Sequence, residues 1–134
     1  MPHFVSAVVA FAGWFLTAAA ITVAFLWTYT RLTPHREFDL IVRDHNASAA
    51  IALGGSLLGF VVPLARAMAQ SVSIGEFVAW AIVAFAVQLG AYVLARAVHP
   101  DLSRAVEENT IAAAVWLACV SLAAGLLSAA AMTG

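Results

Sequence analysis

The sequence predicts an all-α membrane protein: four transmembrane helices in two tandem two-helix repeats, each with a short amphipathic segment in its cytoplasmic loop. Three observations carry that prediction. Of 134 residues, 64% are hydrophobic and 10% charged, and the mean hydropathy is +0.99. Soluble chains are about 45–50% apolar and about 25% charged, so this one has too little polar surface to cover a globule in water. Four apolar stretches are long enough to cross a hydrocarbon core of ~30 Å. Finally, a polar approach ending in Asn46 runs into the small-residue stretch Ala47 to Gly59, and Glu107-Glu108-Asn109 does the same into Thr110 to Met132. Residues 1–134 therefore read as a single transmembrane domain, with repeat 1 over about 4–68 and repeat 2 over about 77–132.

The first span, Phe4 to Tyr29, has no charge. Its start lacks a basic region and its apolar run far exceeds a signal-peptide core, so it reads as a retained helix. Trp27 and Tyr29 suit the interfacial aromatic belt. Pro34 stops the helix, because a proline has no N–H for the ladder. In the polar loop that follows, Phe38, Ile41 and Val42 stand at i, i+3, i+4, the spacing of a short surface helix.

The second span covers about Ala47 to Met68, with Asn46 as an N-cap and Asp44 suited to the positive end of the helix dipole. Pro63 sits near its far end, and Arg66 can snorkel to the interface. Ser73 and Glu76 have capping-box spacing and open the third span, Phe77 to Leu94. Leu102, Ala105 and Val106 then repeat the amphipathic spacing ahead of the fourth span, which runs to about Met132. Asn46 and Asn109 stand as equivalent caps. Because each half crosses twice, the repeats are parallel and not inverted.

Arginine placement sets the orientation. Arg31, Arg36, Arg43, Arg96 and Arg104 fall in the two long loops, against Arg66 alone on the other side. The positive-inside rule puts the loops in the cytoplasm and both termini in the periplasm.

Lipid gives helices no hydrophobic reason to associate, so small residues that allow close approach supply the contacts. Stripes at spacings of three and four run through every span: Ser6-Ala10-Gly13-Thr17-Ala20-Ala24, Ser48-Ala52-Gly55-Gly59-Pro63, Ala81-Ala84-Gln88-Ala91-Ala95 and Ala114-Ala118-Ser121-Gly125-Ser128. Gly54, Gly55, Gly59 and Gly125 are the expected packing positions. Gln88 is the polar residue at depth; an interhelical hydrogen bond is favoured over a pathway lining. Cys119 reads as a small buried hydrophobe.

The paired pattern of Asp44-His45-Asn46, Ala49-Ala50, Gly54-Gly55 and Gly59 with Glu107-Glu108-Asn109, Ala113-Ala114 and Gly125 resembles the domain-of-unknown-function 350 (YjfL-like) family of small bacterial membrane proteins. The resemblance covers about residues 4–132. It implies a four-span inner-membrane protein built from two two-helix repeats, with no established activity. The second half departs from the first, with Leu117 and Leu122 where Gly54 and Gly59 stand and Gly125 three residues later.

Several functions are disfavoured by composition. The formal net charge of −1 offers nothing to nucleic acid. His35, His45, His99 and the loop carboxylates form no nucleophile–base pattern, no metal-ligand spacing and no phosphate loop, so neither an enzyme nor a cofactor or metal protein is expected. Apart from Arg66, which snorkels to the interface, the spans hold no charged side chain, which disfavours a proton-coupled carrier. The expectation is a structural or partner-binding membrane subunit. It forms a homo-oligomer in the bilayer, a dimer by preference, and meets a cytoplasmic protein through loops 30–46 and 96–109. The alternative is a channel or transporter whose path is lined by small residues and Gln88. Asp44, His45, Asn46, Glu107, Glu108 and Asn109 would surround one cytoplasmic mouth, where they are either helix caps or an attraction for a cation or a basic partner.

Overall fold

The computed structural model describes residues 2–32 and 37–132; Pro34, His35 and Arg36 of the first loop lie outside the described residues. The element order is α1 (Pro2–Leu32), α2 (Glu37–Val42), α3 (Ala47–Gln70), α4 (Ile74–Val98), α5 (Leu102–Glu107) and α6 (Ile111–Ala131). Four of these, α1, α3, α4 and α6, are long and apolar enough to cross a membrane. At 1.5 Å per residue, even the 21-residue α6 matches a core of ~30 Å.

Local chemistry sets the helix ends. Asn46 Oδ1 accepts from the Ala49 N–H at 2.9 Å and caps α3. Ser73 Oγ accepts from the Glu76 N–H at 3.2 Å and caps α4. Within α1, Thr17, Thr22 and Thr30 donate back to the carbonyls of Gly13, Ala18 and Leu26 at 2.7–2.8 Å, so these three hydroxyls meet hydrocarbon already paired.

Helix α3 is the centre of the bundle. It packs along α6 in the principal seam, α4 lies against both, and α1 rests on α3 and α4. Ser48, Ala52, Gly55, Gly59 and Pro63 are buried on α3, and Ala81, Ala84, Gln88, Ala91 and Ala95 on α4. On α6 the buried positions include Ala114, Ala118, Ser121 and Gly125.

The first helix departs from its expected stripe. Ser6, Ala10, Gly13, Ala20 and Ala24 are exposed, and a Cβ at Gly13 would meet nothing within 4 Å. Instead α1 turns an aromatic face inward. Phe25 stacks on Phe60 with centroids 4.1 Å apart, Trp14 lies 5.6 Å from Phe77, and Tyr29 meets Tyr92 edge-on at 6.4 Å. Large rings hold the two backbones apart, and clefts of about 250 and 420 Å³ lie on either side of α1. Tyr29 is buried at 1% exposure and does not belong to an interfacial belt; Trp27 alone is exposed, with the Arg31 guanidinium 4.6 Å over its ring.

The short loop segments form helices α2 and α5, and the expectation of a buried Cys119 is corrected. In α2, Phe38 and Val42 are exposed, and the inward residues are Leu40 and Ile41. Leu102 and Val106 of α5 are fully buried. Cys119 is exposed, on the side of α6 away from the seam.

Candidate functional site

Two polar clusters interrupt the apolar bundle, one where α3 and α6 begin and one at mid-depth on their seam. At the first, both long helices follow a short helix through a sharp reversal. His45 (φ 51°) and Asn109 (φ 59°) take the left-handed conformation there, which histidine and asparagine tolerate better than most side chains. The reversals bring the two loops together. Asn46 is 5% exposed, and its Nδ2 donates to the carbonyls of Val106 at 2.9 Å and Glu107 at 3.2 Å. In return, Asn109 Oδ1 accepts from the Ser48 N–H at 3.0 Å.

The expectation of two equivalent caps is therefore corrected. Thr110 holds the N-cap position of α6 without a side-chain cap bond. Asn109 instead serves the first turn of α3, alongside Asn46. A side-chain amide both donates and accepts, and Asn46 uses both functions: one for its own helix, the other for the opposite loop. Asp44, His45, Glu107 and Glu108 remain exposed around this tie. Their carboxylates join no common site; Glu108 pairs with Arg104 at 3.0 Å on an open surface. Among the described residues, no three of His, Cys, Asp and Glu come together as metal ligands would.

The second cluster lies where the α3 and α6 backbones meet. A Cβ at Gly55 would fall on Ala118 Cα, one at Gly59 on the Ser121 carbonyl, and one at Gly125 on the Gly59 carbonyl. Pro63 has no N–H, so it leaves the Gly59 carbonyl free of the helix ladder, and this is the oxygen that faces Gly125. Gly54 is the exception among the expected packing glycines: a Cβ there meets nothing within 4 Å, because its position turns away from α6.

Beside the glycines, Ser56 Oγ donates to Tyr29 Oη at 3.0 Å and lies 3.4 Å from Ser121 Oγ. Gln88 is fully buried; its Nε2 donates to the Ser121 carbonyl at 3.1 Å, and its Oε1 has no partner among the described residues. Sequence reasoning singled out Gln88 but missed Ser56 and the hydroxyl of Tyr29. Nothing in spacing distinguishes a serine bonded across helices from one bonded back to its own.

This arrangement defines a polytopic helical membrane protein whose two central spans touch backbone to backbone. The comparisons with known proteins agree and go further. The family profile described as Domain of Unknown Function (DUF350) matches residues 3–132, and the chain belongs to that family. It is 35% identical over 131 residues, 98% of each chain, to the UPF0719 inner membrane protein YjfL of Escherichia coli K12, and equally to that of Escherichia coli O157:H7. No solved structure matches it. The chain is accordingly a multi-pass inner-membrane protein.

Proposed function

We propose that the protein is a non-enzymatic membrane subunit that works by assembly. It forms a homo-oligomer, preferably a dimer, and offers loops 30–46 and 96–109 to a cytoplasmic protein. The observation that carries this reading is the reciprocal Asn46–Asn109 tie, which joins the two loops into one surface ringed by Asp44, His45, Glu107 and Glu108. A docking face benefits from such preorganisation, since a fixed loop loses less entropy on binding. The loose seating of α1 leaves a broad apolar face for a second copy.

Two further features belong to the same reading. The halves are parallel repeats: Gly55 abuts Ala118, a separation of 63 positions that equals the one between Asn46 and Asn109. The loops face the cytoplasm and the termini the periplasm, in line with the arginine distribution. The competing channel reading is favoured by the unpaired Gln88 Oε1 beside Ser56 and Ser121. Against it, the seam at Gly55, Gly59 and Gly125 has no room for a methyl group.

Single-molecule photobleaching of the labelled protein, in liposomes at decreasing protein-to-lipid ratio, tests the assembly. Two bleaching steps that persist on dilution are expected. Single steps at every ratio contradict it.

A further inference from the structure

A polar cleft of about 190 Å³ lies at the loop end of α4 and is lined by Arg96, Pro100, Asp101, Ser103 and Arg104. A single water needs only ~10–15 Å³, so the cleft has room for a tetrahedral oxyanion with a substituent. It opens where the hydrophobic span of α4 ends. Val93, Leu94 and Val98 immediately before it are 59–65% exposed on the helix surface, at the depth of acyl chains. The guanidiniums thus stand where lipid headgroups lie.

We infer that this cleft binds the phosphate of an anionic phospholipid headgroup, phosphatidylglycerol being the chemistry that fits best. Arginine suits phosphate because its planar fork donates two parallel hydrogen bonds, and basic pockets beside spans are a recurrent mode of headgroup recognition. Arg96 forms no ion pair among the described residues. Arg104 is held only by the exposed Glu108 pair, which is weak enough to yield to a stronger acceptor.

Ser103 adds a directed donor. Its Oγ lies 2.6 Å from the hydroxyl of Tyr92, which is 7% exposed. With an anion in the cleft, Tyr92 donates to Ser103 and Ser103 donates to the phosphate. Asp101 opposes a bare dianion but accepts from the glycerol hydroxyls of the headgroup. The lining carries two arginines and one aspartate, a formal charge of +1, and once Arg104 turns from the exposed Glu108 to the phosphate, the cleft is complementary to phosphatidylglycerol and not to zwitterionic lipids.

The test is native mass spectrometry of the full chain released from vesicles of phosphatidylglycerol, phosphatidylethanolamine and phosphatidylcholine in equal parts. Wild type should retain phosphatidylglycerol over the other two. R96Q and R104Q should each lower that preference by roughly fivefold, with R96K restoring most of it and Y92F lowering it to a lesser extent. R66Q, at the opposite end of the bundle, should leave the preference unchanged. Circular dichroism confirms that each variant remains helical, and should R104Q lose its fold, R96Q and R96K decide the matter at an exposed helix end. Equal retention of the three lipids, or an undiminished preference in R96Q, overturns the proposal. Competition by soluble glycerol phosphate against phosphatidylglycerol assigns the cleft to a free phosphate and overturns the lipid source.

Discussion

Asn46→Asp separates a helix cap from a tie between loops. As an N-cap, aspartate is about as good as asparagine, so a residue that only capped α3 would tolerate the change. Asn46 also donates from Nδ2 to the carbonyls of Val106 and Glu107, at a position 5% exposed. Aspartate keeps the acceptor facing Ala49 and deletes both donors. The Val106 carbonyl keeps the Asn109 N–H at 3.0 Å, but the Glu107 carbonyl loses its side-chain donor, at a cost of about 1–3 kcal/mol, and a carboxylate now faces both. A net loss of about 2–4 kcal/mol is expected, compared with about 1 kcal/mol for a lost cap alone.

Asn109→Asp is the control. Asn109 contributes only Oδ1, to the Ser48 N–H at the start of α3, and aspartate supplies the same acceptor with a charge that suits that helix end. It should shift stability by less than about 0.5 kcal/mol. The assay is reversible unfolding in mixed micelles, followed by circular dichroism. In the Asn46→Asp variant the protonated acid can donate to the Val106 carbonyl, so folding raises its pKa above the unfolded value. The deficit is therefore smallest below the unfolded carboxyl pKa of ~3.9 and grows as pH rises through the folded one. Equal stability of the two variants at neutral pH, or a deficit in Asn46→Asp that does not depend on pH, would refute the reasoning.

Three further predictions follow from the same contacts. Gly54→Ala should be nearly neutral, because its Cβ meets nothing, whereas Gly55→Ala, one residue on, falls on Ala118 Cα and should cost about 1–3 kcal/mol in the same unfolding assay. Gly59→Leu should disrupt the fold outright, while Leu58→Ile, at a position 53% exposed, should be mild. For orientation, Cys119 is replaced and single cysteines are placed at Val72, which is 89% exposed, and at Glu107. An impermeant thiol reagent on intact cells should label position 72 and spare 107; the reverse pattern inverts the topology.

Much of this fold is legible in the sequence, for reasons specific to each helix. The stripes of α3, α4 and α6 coincide with buried positions because in lipid the closest contacts need the smallest side chains. The same rule misleads in α1. There Ser6, Ala10 and Gly13 face outward, and Trp14, Phe25 and Tyr29 make the contacts, since an alanine facing lipid and one facing a helix look alike in sequence. Asn46 is legible as a cap from its place before an apolar run. Its bonds to Val106 and Glu107 are not, because they depend on the left-handed turns at His45 and Asn109 that swing the loops together. Asn109 carries the same apparent signal but serves α3, not the helix that follows it. Cys119 shows a similar limit: hydrophobic surroundings in sequence are not burial when the solvent is itself apolar.

In the proposed function the protein acts by assembly, and its backbone-to-backbone seam carries no path across the bilayer. Flux of protons and potassium across liposomes containing the purified protein tests this most directly. The account predicts rates equal to protein-free liposomes for wild type and for Gln88→Leu alike. A flux that rises with protein content and changes in Gln88→Leu, with the fold intact, would contradict it.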